Sequence, residues 1–113
     1  MRISDGVKLF PKLRVSSSII RVRFEWHDAK AETNFLTHGV SFDLAKTVFN
    51  DPFAVEWVDD REDYGEQRFV TIGRAAGQVL LFVAYTERAE CIRIISARKV
   101  TQNEQIEYFR QNS

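Results

Sequence analysis

The chain has 113 residues, 44% hydrophobic and 28% charged, with five glycines, two prolines and one cysteine. That balance belongs to one self-folding domain and excludes a disordered tail, a collagen-like repeat and a disulfide-stapled miniprotein. A formal net charge of zero excludes a uniformly basic nucleic-acid binder.

Residues 1–23 carry +5, with Pro11 and the run Ser16-Ser17-Ser18 but no sustained helical period. Residues 1–18 therefore read as an N-terminal extension, either flexible or an added edge strand, and residues 19–113 as a single domain. Between Met1 and Ile20 there is no continuous apolar core with a small-residue cleavage site, and no run approaches the ~20 apolar residues of a membrane span. A cytoplasmic protein without membrane contact is expected.

From Ile19 to Trp26, Ile20, Val22, Phe24 and Trp26 alternate with Arg21, Arg23 and Glu25, the period of a half-buried strand. A helix over about 29–38 follows, with Asp28 as its cap, Ala31 and Phe35 on its buried face, and Gly39 closing it after His38. Ser41 caps a second short helix bearing Phe42, Ala45, Val48 and Phe49, stopped by Asn50-Asp51-Pro52. Residues 51–67 then carry −6; this acidic block is either a solvated loop or a docking surface for a basic partner.

Strands are expected at 53–58, 68–73, 79–85 and 90–97, joined as a meander by turns at 75–78 and 87–89. The third is apolar on both faces, which places it centrally in the sheet. Cys91, the lone cysteine, sits in its own apolar run, where a buried thiol is the simplest expectation. Thr101-Gln102-Asn103-Glu104 forms a capping box for a last helix that would pack Ile106 and Phe109 on the sheet. The expected class is α+β: an antiparallel sheet of about four strands, with two N-terminal helices and a C-terminal helix on one face.

No phosphate-binding glycine loop, nucleophile elbow or zinc-like Cys/His spacing is present, so neither a cofactor nor a metal is expected. His38 at a helix C-terminus can serve as a carbonyl cap or as a functional imidazole. Arg74, Arg93 and Arg98, at or near strand ends, can pair with neighbouring glutamates or hold an anion.

Taken in order, Phe24-Glu25-Trp26, Lys30, Asn34, His38-Gly39-Val40-Ser41-Phe42, Asp51-Pro52, Ile72-Gly73-Arg74 and Ile92-Arg93-Ile94-Ile95-Ser96-Ala97-Arg98-Lys99 resemble the BrnT toxins over about residues 22–110. The resemblance implies a RelE-like microbial ribonuclease fold, toxicity through RNA cleavage, and neutralisation by a BrnA-like antitoxin with a ribbon-helix-helix part. Operator DNA would be reached only through that antitoxin. Two positions depart from the usual pattern, since Trp-Asp and Lys-His-Gly are here Trp26-His27 and Thr37-His38-Gly39.

Within these motifs a metal-independent cleavage is expected, in which the RNA 2′-OH attacks its own phosphate. Histidine is the side-chain type suited to proton transfer near neutral pH, so His38 takes the acid/base work; Arg74 and Arg93 offer planar forks to the phosphate and its transition state. Lys30, Arg98 and Lys99 would position RNA, and Trp26 would either stack a base or belong to the core. The alternative is a catalytically inactive module of the same fold, kept for assembling with an antitoxin and modulating its operator binding.

Overall fold

The computed structural model describes residues 22–113 and the backbone of a further strand at 7–9; the start of the expected first strand, residues 19–21, and most of the 1–18 extension lie outside the described residues. The elements are β1 (Val7–Leu9), β2 (Arg23–Glu25), α1 (Asp28–His38), α2 (Phe42–Ala45) running into a 3-10 turn (Lys46–Asn50), β3 (Val55–Asp59), β4 (Arg68–Arg74), β5 (Leu80–Arg88), β6 (Cys91–Lys99) and α3 (Gln102–Gln111).

One sheet contains them in the order β1-β3-β4-β5-β6-β2. The meander from β3 to β6 is antiparallel as expected, but among the described residues the sheet has six strands and is mixed, because β2 runs parallel to β6. Hairpin turns fix the direction of each meander strand. β2 has no such constraint: the chain leaves it through α1 and returns to its side only after the whole meander. β1 lies antiparallel on the outer edge of β3.

The helix boundaries follow local chemistry. His27 occupies the N-cap of α1 without a side-chain cap bond, and Asp28, expected as the cap, lies in the first turn. There its carboxylate still meets the positive end of the helix dipole. Gly39 takes the left-handed conformation (φ 71°) and donates its N–H to the Phe35 carbonyl at 2.8 Å. Ser41 is the cap of α2, its hydroxyl accepting from the Leu44 N–H at 3.0 Å.

Both faces of the sheet are covered, which corrects the expectation that all helices share one. On the first face, Leu81, Val83 and Tyr85 of β5 and Ile92, Ile94 and Ala97 of β6 pack against Val40, Phe42, Ala45 and Val48. A Cβ on Gly73 would lie 2.7 Å from the Val48 side chain, so this glycine lets the 3-10 turn approach β4. On the second face, Val55, Trp57, Val70, Ile72 and Phe82 gather around Tyr108 of α3. β5, apolar on successive residues, needs cover on both sides, and α3 supplies the second layer.

Within α3 the buried face is not the apolar one. The Thr101–Glu104 capping box forms, yet Ile106 and Phe109 are 54% and 47% exposed, while Glu104, Glu107 and Tyr108 are buried. Polar anchors set this rotation. Glu104 accepts a bidentate pair from Arg98 at 2.8 and 2.9 Å, and the Tyr108 hydroxyl donates to Asp51 at 2.7 Å. Phe35 of α1 is likewise 53% exposed, and Asn34 takes the buried position expected for it. Cys91 is half-buried rather than buried; desolvation, then a bond with Glu25, pushes its thiol pKa up.

Candidate functional site

Lys30, Asn34 and His38 recur every four residues, which puts them on one stripe of α1. Asn34, the middle one, faces β6: its carboxamide donates to the carbonyls of Ala97 (2.8 Å) and Val40 (3.0 Å) and accepts from the Ala97 N–H (3.1 Å). Among the described residues β2 pairs with 91–93 of β6, and further along that strand Asn34 does what a neighbouring strand would do. Its neighbours on the stripe open into a groove of about 340 Å³ whose lining includes Lys30, Thr33, Thr37, His38 and, from β6, Ile95.

His38 is exposed. The bond that closes α1 comes from Gly39, not from the imidazole, which has no hydrogen-bond partner among the described residues. The capping role weighed for it is not the one it plays.

Arg74 and Lys99 meet in a second groove of about 290 Å³, together with Gln78, Gln105 and Phe109. The Arg74 backbone N–H donates to buried Asp51 at 2.7 Å, and its guanidinium lies 5.8 Å from the Phe109 ring centroid. Asp51 also accepts from the Phe53 N–H and from Tyr108. Burial, then the bond to Asp51, pushes the Tyr108 phenol up to about 12. Asp51 thus ties the end of β4 to α3, which gives the Asp51-Pro52 and Ile72-Gly73-Arg74 motifs a shared structural reason.

Arg93 and Arg98 are five residues apart, so strict alternation would send them to opposite faces. A β-bulge opposite Ala84/Tyr85 adds one residue to β6, pairing Thr86 with Arg93 and Phe82 with Arg98. Both arginines therefore lie on the α3 face. Arg93 pairs with Glu25 at 3.0 Å, and Arg98 pairs with Glu104 while lying 4.1 Å above the Phe82 ring. The bond from Arg93 lowers the Glu25 pKa. For Glu104, burial raises the pKa, but Arg98 and the Thr101 N–H outweigh it and the net shift is downward.

The expected site residues thus fall into three groups: His38 with Lys30, Arg74 with Lys99, and Arg93 with Arg98 across the sheet from α1. Trp26 packs edge-on against Phe42 at 5.8 Å, beside the first core. Among the described residues, no group of three or more His, Cys, Asp or Glu side chains is gathered as a metal site. The acidic stretch is partly committed internally, with Asp59 holding Arg61 and the Tyr64 hydroxyl, and Glu66 holding Arg88. The sequence signal for Asn34 is its position midway between Lys30 and His38 on one helical stripe.

No curated protein sequence matches the chain. Among solved structures, the ribonuclease toxin BrnT of Brucella abortus is similar in fold, with a TM-score of 0.54 at 20% identity, covering 73% of this chain and 100% of that one. The family described as ribonuclease toxin, BrnT, of type II toxin-antitoxin system matches residues 26–104, well over half the sequence. That span runs from Trp26 at the end of β2 to Glu104 in α3 and includes all three cationic groups, so the chain belongs to the BrnT family of ribonuclease toxins of type II toxin–antitoxin systems.

Proposed function

We propose that this protein is an endoribonuclease that cleaves RNA without a metal, and that the groove between α1 and β6 is where the proton transfers occur. The observation that carries this reading is the exposed His38 imidazole, which has no hydrogen-bond partner among the described residues and lines one groove with Lys30. The 2′-oxygen forms a bond to phosphorus as its proton leaves to a base; the bond from phosphorus to the 5′-oxygen breaks as an acid protonates it. A 2′,3′-cyclic phosphate and a free 5′-hydroxyl result. His38 serves one of these two transfers, and Lys30 offsets charge on the phosphate. Arg74 with Lys99, and Arg93 with Arg98, hold further phosphates along the strand; Arg93 would exchange Glu25 for one.

A BrnA-like ribbon-helix-helix antitoxin would block cleavage and connect the complex to operator DNA, in the cytoplasm and on a RelE-like fold. A second reading, the inactive antitoxin-binding module, is favoured by one observation: Thr37, standing where the family pattern has lysine, lines the same groove as His38. The loss of that cation would weaken phosphate binding. Expression without antitoxin separates the two. Growth arrest with degraded RNA is expected; healthy growth with intact RNA at verified soluble expression favours the inactive module.

A further inference from the structure

On the α3 face, one cross-strand row carries an unusual set of side chains. Asp59 of β3 pairs with Arg68 of β4, Thr86 of β5 pairs with Arg93 of β6, and Arg93 pairs with Glu25 of β2. The β4–β5 register, in which Phe69 faces Tyr85, brings Arg68 level with Thr86 one step further on. Arg68 and Arg93 therefore flank Thr86 on the same face, with their Cα atoms about 10 Å apart at ordinary strand spacing. Two long guanidinium side chains at that separation can converge on one small anion.

The row also contains two buried polar atoms without a partner. The Thr86 hydroxyl, in a residue only 1% exposed, and the Nε of Arg68 make no hydrogen bond. Buried polar groups are paired in the great majority of cases, and two unpaired donors on adjacent strands of one row point to a missing acceptor. Among the described residues the nearby acids are engaged elsewhere, Glu66 by Arg88 among them. Asp59 is engaged by Arg61 and Tyr64, and Glu25 by Arg93. Arg68 makes no close ion pair among the described residues, acting on the Glu66 carboxylate only through charge, and lies 4.0 Å from the Tyr64 ring centroid. An oxyanion that displaced Glu25 would meet two guanidinium groups and a hydroxyl, with Tyr64 steadying one of them.

We infer that Arg68, Thr86 and Arg93 form a binding site for a phosphate oxyanion, and that a phosphodiester of the RNA backbone occupies it. The anion site stands on the row's geometry; the RNA occupant rests on the ribonuclease reading above. Binding is the readout, so that a failure of the His38 chemistry leaves the test intact.

The probes are a 2′-O-methyl RNA hexamer, which has no attacking hydroxyl, and inorganic phosphate, each titrated calorimetrically into the wild type, Thr86→Val and Arg68→Gln. Thr86→Val keeps the side chain's shape and removes the unpaired hydroxyl, so its melting temperature should hold or rise. Its affinity for the hexamer should fall about tenfold or more, the worth of a hydrogen bond to a charged group. Arg68→Gln should weaken the hexamer further and flatten the salt dependence by roughly one ion's worth. Phosphate binding with the same sensitivities but no hexamer binding would uphold the anion site and assign it to the free ion. If both variants bind both probes as the wild type does, or the wild type binds neither, the inference is overturned.

Discussion

Replacing Asn34 by alanine should destabilise the protein more than any other single change in α1. The carboxamide makes three bonds, and the groups it serves, the N–H and carbonyl of Ala97 and the carbonyl of Val40, belong to buried residues. Alanine provides no replacement donor or acceptor. A buried group left unpaired costs about 1–3 kcal/mol. Water reaching the edge of β6 would recover part of that, so the expected loss is about 2–4 kcal/mol. For a domain of this size each kcal/mol moves the melting temperature by roughly 4 °C, giving a fall of roughly 8–16 °C. Asn34→Asp can still accept from Ala97 but cannot donate to either carbonyl, so it should also be destabilised. Calorimetry or circular dichroism melts measure this. A fall of less than about 3 °C for Asn34→Ala would show that α1 is held to β6 by apolar contacts, refuting the account of Asn34 as the missing strand's substitute.

Thr37→Lys should raise the cleavage rate in a gel assay if position 37 has lost a phosphate contact; an unchanged rate would argue that this residue takes no part. The paired carboxylates make a linked prediction in acid. Glu25, Asp59, Glu66, Glu104 and Glu107 have folded pKa values held below their ordinary ones. Such groups stabilise the fold at neutral pH, and the contribution disappears as pH falls through their folded values. Stability should thus be level near neutrality and drop below about pH 4, and Glu104→Gln, which breaks the pair with Arg98, should shrink that drop in urea melts taken across pH.

The parts of this molecule that the sequence revealed are those where local chemistry and tertiary packing agree. Ser41 and Thr101 cap the helices they were expected to cap, and the apolar run at Leu80 and beyond is an interior strand. The misread parts are those where a distant polar partner overrides local pattern. Ile106 and Phe109 have the spacing of a buried stripe, but Arg98 and Asp51 hold Glu104 and Tyr108 against the body and turn the stripe outward. The bulge in β6 has no local signature in Ile92-Arg93-Ile94-Ile95-Ser96, yet it decides that Arg93 and Arg98 share a face. Arg68 and Thr86 are each ordinary within their own strands; the register across β4, β5 and β6 sets them beside Arg93.

The central claim is that His38 performs proton transfer on RNA, and its most direct test is cleavage of a defined RNA by purified wild type and His38→Ala in the presence of EDTA. The imidazole makes no hydrogen bond among the described residues, so removing it should change stability by no more than about 1 kcal/mol from the dipole effect. The account predicts wild-type products ending in 2′,3′-cyclic phosphate, and a rate lowered about 10²–10⁴-fold in His38→Ala at a nearly unchanged melting temperature. Cleavage by His38→Ala at the wild-type rate, or wild-type cleavage that EDTA abolishes, would contradict it.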